Sequence, residues 1–288
     1  MWSVRGALEK FIQSLKLTDK QKEEVIRQHT VVREQLRQRL GVETDFLSGS
    51  YSRNTAIRPL NDIDLFIVVE EVTSRPTSSP DGLLKAVRNG LKEAWPKKEL
   101  PILQQHSVRI EFSGSGIAFD IVPAFKRLGR KAYFIPERET GRWLRTNPRR
   151  HKELSREANE RAGKKLKPLL KAVKYWNRHH PASPLGSFHL EAMSYDAFLS
   201  PPEGYLEGLQ ALFSHLSQRV QYTCPDPAGL GPDVDEWMSA TQRRAASQLL
   251  LSAARQVQAA LEEEEAFPFD AHQRLRALFG EAYRDGGR

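Results

Sequence analysis

One cysteine, Cys224, stands in the 288 residues. A single thiol excludes an internal disulfide and any cysteine-rich zinc site. Cys224 is expected to serve as a small apolar side chain. No apolar run comes near the about 18 residues that a membrane span needs, so no membrane partner is expected. The first residues, Met1-Trp2-Ser3-Val4-Arg5-Gly6, carry no apolar signal core. No internal repeat and no substantial low-complexity tract is present. Together these absences point to a cytoplasmic protein without zinc. The hydrophobic share of 39% and charged share of 28% fit an ordinary globular protein. At roughly 150 residues per domain the length suits one large or two smaller domains.

Acidic residues are scarce in one stretch. Residues 126–178 hold 18 Lys/Arg against 5 Asp/Glu, while the rest of the chain is net negative against an overall charge of +8. A basic band of this kind suits a nucleic acid or the triphosphates of small nucleotides. Taken one by one, most of these residues would serve equally on a solvated helical face.

The stretch that organises the chain runs from Phe46 to Thr55 as Phe-Leu-Ser-Gly-Ser-Tyr-Ser-Arg-Asn-Thr, followed by Asn61-Asp62-Ile63-Asp64-Leu65-Phe66-Ile67-Val68-Val69. A Gly-Ser turn, Gly49-Ser50, offers backbone N–H groups and a hydroxyl, which suit a phosphate. Strand alternation puts Asp62 and Asp64 on one face and Ile63, Leu65 and Ile67 on the other. Two carboxylates side by side repel, and a divalent cation between them reverses that interaction. A lone Asp-x-Asp is usually a solvated turn; a third carboxylate on a later strand makes the pattern specific. Residues 108–122 supply it. They form two alternating runs joined by the Gly/Ser loop Ser113-Gly114-Ser115-Gly116, so a hairpin is expected. Ile117, Phe119 and Ile121 share one face of the second run and Asp120 takes the other. A carboxylate flanked by Phe and Ile is costly to bury unless paired or metal-bound.

Gly49-Ser50, Asp62-x-Asp64 and Asp120 resemble the signature of the polymerase-β-like nucleotidyltransferase superfamily. The surrounding wording is most similar to the bacterial cGAS/DncV-like nucleotidyltransferases (CD-NTases), although archaeal-type CCA-adding enzymes share the core arrangement. The resemblance implies an α+β fold: a polymerase-β-like nucleotidyltransferase core, a mixed sheet with packed helices, plus a C-terminal helical lobe, with the active site in the cleft between them. The expected division is a core with N-terminal helices over 1–145 and a helical lobe over 146–288.

Periodicity fills in the elements. Leu8, Phe11, Ile12 and Leu15 predict one helix, and Val25, Val32, Leu36 and Leu40 a second, opened by a Thr18/Gln21 capping box and closed by Gly41. Thr73 to Pro80 reads as a loop. Leu84, Val87, Leu91 and Trp95 mark a helix over 81–95, and 132–135 suits a short strand. After Pro148 the pattern turns helical. Leu166, Leu169, Leu170 and Val173 make an apolar stripe, with Lys171, Lys174 and Arg178 on a different face. Ser187 is expected to cap a helix over 188–198, and 203–220 and 232–262 predict two more.

The helical half carries further matches. Lys171-Ala172-Val173-Lys174-Tyr175-Trp176 and Gly186-Ser187-Phe188-His189-Leu190-Glu191 resemble the helical lobe of cyclic GMP–AMP synthase and its bacterial relatives. The loop Asp226-Pro227-Ala228-Gly229-Leu230-Gly231-Pro232-Asp233-Val234 is similar to an Asp-Pro-rich loop of the bacterial group. The resemblance implies that Lys174 and Ser187 clamp the nucleotide triphosphate tail, that Gly49 and Ser50 hold the β/γ-phosphates, and that Phe188 stacks on a base. It implies two Mg²⁺ ions, or Mn²⁺ in their place, on Asp62, Asp64 and Asp120, about 3.5–4 Å apart as in other two-metal sites. The implied substrates are nucleoside triphosphates. The implied product is a cyclic di- or trinucleotide second messenger of bacterial antiphage (CBASS) signalling, with pyrophosphate released. An activating RNA or protein is left open. The alternatives are an RNA or tRNA nucleotidyltransferase, a nucleotidyltransferase toxin, and a degenerate fold serving as a nucleic-acid-binding scaffold.

Overall fold

The fold is taken from a computed structural model that describes residues 2–60, 62–72, 76–112, 114, 116–129 and 131–287, without the side chains of Glu71 and Val72. Asn61 of the aspartate motif, Thr73, Ser74 and Arg75 of the expected loop from Thr73 to Pro80, and Ser113 and Ser115 of the hairpin loop lie outside them.

The chain runs α1 (Val4–Ser14), α2 (Asp19–Leu40), β1 (Thr44–Leu47), α3 (Gly49–Ser52), β2 (Asp62–Val72), α4 (Pro80–Ala94), β3 (Ile102–Leu103), β4 (Val108–Phe112), β5 (Ile117–Arg127), β6 (Tyr133–Glu137) and β7 (Arg142–Thr146). Helices follow: α5 (Pro148–Arg161), α6 (Leu166–His179), α7 (Ser187–Met193), α8 (Tyr205–Arg219), α9 (Ala240–Glu263) and α10 (Pro268–Phe279). It divides into two compact units: a core unit of 17–152 with 228–231, and a helical unit of 1–16, 153–227 and 232–288. The sequence places α1 with the core and the boundary at 145. The contacts place α1 with the helices, because Phe11 packs its ring on Tyr175, Phe279 and Tyr283.

In the core unit the sheet order is β1-β2-β5-β4-β3, with β6 bridging β5 to β7. β2 and β5 run parallel and the other pairs antiparallel. The predicted α2 is present in detail. Thr18 Oγ1 accepts from the Gln21 N–H, Gln21 Oε1 accepts from the Thr18 N–H, and Gly41 ends the helix at φ +61°. One face of the sheet buries Ile63, Leu65, Ile67, Phe119 and Ile121 against Val25, Val32 and Leu36 of α2 and Leu84, Val87 and Leu91 of α4. This desolvated layer holds the strands in place. A smaller cluster, Phe66, Val68, Ala124 and Tyr133, forms separately. Strands β1, β3 and β7 were not legible as periodic runs; each is only two to five residues long.

In the helical unit the predicted stripe Leu166, Leu169, Leu170 and Val173 is buried. Three expectations need correction. Ser187 is the first residue of α7 and makes no side-chain cap; Gly186 occupies the cap position, and the helix ends at Met193 rather than continuing to 198. Residues 232–239 are not helical, with a turn at 234–237, and α9 begins at Ala240, capped by a Ser239/Gln242 box. Lys171 and Lys174 are buried at 5% and 4% exposure, so they do not form a solvated basic face. Sequence periodicity also passed over α10.

Candidate active site

The three aspartates are organised by sheet register. Asp62 and Asp64 lie on β2 and Asp120 on β5, and Asp64 and Asp120 are direct partners across the parallel pair. On its other side, β5 pairs Asp120 with Arg109 of β4. A row Asp64–Asp120–Arg109 therefore crosses three strands, on the face opposite the apolar layer. Arg109 forks between two carboxylates: Nη1 lies 3.5 Å from Asp120 Oδ1, and Nε donates to Glu111 Oε1 at 3.0 Å.

Gly49 and Ser50 open the short α3, directly after β1. The β1 end is tied to the acids, because the Ser48 N–H donates to the Asp64 carbonyl at 2.8 Å. Gly49 has φ +60°, and a Cβ built on it would fall onto Oδ2 of Asp64. Glycine is thus required there twice, by conformation and by the approach of the Asp64 carboxylate. The Ser50 carbonyl accepts from the N–H groups of Thr55 and Ala56 at 2.9 and 3.1 Å, which closes the turn.

The electrostatics follow from this crowding. Burial first, and then the nearby Asp62 and Asp120 carboxylates, push Asp64 up to about 6, while the Arg53 guanidinium opposes the shift. Burial also raises Asp120; Arg109 counteracts it and Asp62 adds to it. Arg53 itself is buried at 7% exposure.

In the helical unit, Lys174 and Glu191 form a buried pair, Nζ to Oε1 2.9 Å. Lys174 is therefore held by a carboxylate. Ser187 is exposed and Phe188 half-buried at the start of the same α7 that carries Glu191. Two residues on, His189 is buried with Nε2 3.4 Å from Asp235 Oδ2, and burial pushes its imidazole down to about 4. Cys224 is buried as expected, with its thiol pushed up to about 11 by desolvation.

Residues 2–159 match the family model of the Second Messenger Oligonucleotide or Dinucleotide Synthetase (SMODS) domain. The chain belongs to this family. It is 28% identical over 221 residues to "Probable cyclic nucleotide synthase" of Bacillus cereus (strain VD146), covering 65% of this chain and 66% of that protein. It is 33% identical over 143 residues to a cyclic AMP-AMP-AMP synthase of Acinetobacter sp. (strain ATCC 27244 / 9458), covering 47% of this chain and 39% of the relative. The matched stretches thus span less than two thirds of these relatives' lengths. The fold is similar to that of E. coli MS115-1 CdnC, solved with ATP, at a TM-score of 0.78 and 21% identity over 97% of this chain and 98% of that one. Family and fold agree with the expected α+β CD-NTase architecture.

The SMODS core has a donor set that fits a hard divalent cation: three carboxylates and no sulfur or imidazole. Burial is the main cause of the raised Asp64 pKa, and the repulsion from Asp62 and Asp120 that adds to it is the interaction a bound cation would reverse. Among the described residues, no three His, Cys, Asp or Glu side chains are already gathered into a ligand shell; Asp64 is turned onto Gly49 and Asp120 toward Arg109. Arg53, Arg109 and Glu111 are the site residues that the sequence did not single out. Arg109 had one available signal, its position on the expected hairpin opposite Asp120. Among the described residues no helix is long and apolar enough to cross a membrane.

Proposed function

We propose that this chain joins nucleoside triphosphates into a cyclic di- or trinucleotide with release of pyrophosphate. The observation that carries the proposal is the Asp62, Asp64 and Asp120 face set against the Gly49-Ser50 turn, in a chain of the SMODS family. Asp62, Asp64 and Asp120 would hold two Mg²⁺ ions, with Mn²⁺ as a substitute. Such ions supply activation of an acceptor hydroxyl and neutralisation of charge on the departing pyrophosphate. The chain's own residues do the rest. The Ser50 hydroxyl and the N–H groups of the turn bind β/γ-phosphate oxygens. Arg109 neutralises Asp120 until substrate arrives, and Arg53 favours the ionised, ligating form of Asp64. Ser187 and Lys174 are the proposed triphosphate contacts of the helical unit, with Lys174 aimed by Glu191. Phe188 offers a ring face to a base, a contact that tolerates any base.

The Acinetobacter relative is named for an all-adenylate product, which makes ATP the first substrate to test. A place in bacterial antiphage signalling fits such a product. The test is incubation with the four ribonucleoside triphosphates and Mg²⁺ or Mn²⁺, phosphatase treatment, and mass spectrometry. A phosphatase-resistant species with the mass of a cyclic di- or trinucleotide is expected. Label entering added RNA or protein, with no small product, would contradict the proposal.

A further inference from the structure

We propose a second nucleotide site in the core unit, away from the carboxylates. A cavity of about 560 Å³ is lined by Arg127, Lys131, Phe134, Arg145, Asn147 and Leu230, among others. Register explains the convergence. Phe125 pairs with Phe134 across β5–β6, and Phe134 pairs with Arg145 across β6–β7. Arg127 lies two residues beyond Phe125 on β5, so strand alternation brings Arg127, Phe125, Phe134 and Arg145 to one face, and Asn147 follows the end of β7 directly. The site is separate from the acids. Arg127 is seven residues beyond Asp120 on the same strand, about 23 Å at about 3.3 Å per residue, and the odd spacing puts it on the other face.

The chemistry of the lining selects the ligand. Lys131 and Arg145 are exposed and have no carboxylate partner among the described residues, whereas many other arginines of this chain are paired. Asn147 Oδ1 accepts from the Arg150 N–H at 3.0 Å, so the side chain has its Nδ2 group to offer as a donor. These groups offer positive charge and N–H donors and no carboxylate, as a phosphate requires. The floor is aromatic and rigid: Phe134 stacks on Phe125 at 4.7 Å and 8°, and Trp143 meets Phe125 edge-on at 4.9 Å. A ring held from behind is a platform for a base, and the volume lies in the range of small-ligand pockets. Base plus phosphate is a nucleotide. The site takes a nucleoside triphosphate without needing a metal. The basic band of 126–178 is thus divided: Lys171 and Lys174 are buried in the helical unit, and Arg127, Lys131 and Arg145 face this cavity. The inference does not rest on the catalytic reading.

The test is ATP binding by the full chain in EDTA, measured by calorimetry, which silences metal-dependent binding. Wild-type protein and Asp64→Asn are expected to bind ATP alike. Lys131→Gln and Arg145→Gln, both at exposed positions, are expected to weaken it about tenfold each, the loss of one charge-assisted hydrogen bond. Phe134→Leu is expected to weaken ATP but not tripolyphosphate. Absence of metal-free binding, binding unchanged by Lys131→Gln and Arg145→Gln, or tripolyphosphate binding as tight as ATP would each overturn the assignment. So would tighter binding of a single-stranded RNA oligonucleotide lost in the same variants, which would make RNA the ligand.

Discussion

Asp64 and Asp120 are direct register partners on neighbouring parallel strands, with a third carboxylate, Asp62, two residues back on β2 and Arg109 the next partner in the row. A sheet gains nothing from adjacent like charges. The arrangement stores a repulsion that a cation relieves, and the proposed chemistry makes use of that relief.

Asp64 titrates at about 6 in the folded chain against 3.8 unperturbed. The folded state therefore binds this proton more tightly than the unfolded one, and stability falls as pH rises from about 4 to about 6. Asp64→Asn is expected to stabilise the metal-free protein at pH 8 by up to about 3 kcal/mol, at about 1.4 kcal/mol per pKa unit, and so to raise its melting temperature. The gain should shrink toward pH 4. Mg²⁺ should stabilise the wild type and leave the variant unchanged. Thermal melts in EDTA and in Mg²⁺ at several pH values check both points.

Arg53 counteracts the rise of the Asp64 pKa. Arg53→Gln is expected to move the acid limb of the kcat profile to higher pH, since Asp64 then ionises later. An acid limb in the wild-type position would remove Arg53 from this role.

Gly49→Ala places a methyl on Asp64 Oδ2 at a residue with φ +60°. The backbone alone costs about 1 kcal/mol or slightly more, and displacement of the carboxylate should lower activity by on the order of a hundredfold, because small misplacements of reacting groups carry large penalties. Gly141→Ala is the control. It has φ +67° and open space around it, so it should cost stability alone. Activity and melting temperature of the two variants separate strain from function.

Lys174 and Glu191 are both almost fully buried, at 3% and 0% side-chain exposure. Removing either partner alone leaves a buried charge and should destabilise by about 3–5 kcal/mol. Lys174→Met with Glu191→Leu should recover much of that. Urea melts of the single and double variants measure the coupling. If Lys174 also contacts triphosphate, the double variant regains stability while its KM for ATP stays raised.

Local signals were legible in the sequence. The hairpin, the face shared by Asp62 and Asp64, the Thr18/Gln21 box and the Gly41 stop are all set by residues within a few positions of one another. The pairing of Asp64 with Asp120 spans 56 positions and depends on β2 and β5 lying side by side, which periodicity does not encode. The burial of Lys174 was missed for a related reason: its partner Glu191 sits on the next helix, and a lysine on a polar face looks solvated until the pair is seen. The membership of α1 in the helical unit likewise depends on Phe11 meeting Tyr283, at the far end of the chain.

The most direct measurement is product mass for wild type and Asp64→Asn side by side, from ATP and Mg²⁺, after phosphatase. The account expects a resistant species with the mass of a cyclic oligoadenylate from the wild type. It expects a loss on the order of a thousandfold in the variant, several kcal/mol of transition-state stabilisation, with the fold intact. A fully active Asp64→Asn protein would contradict it.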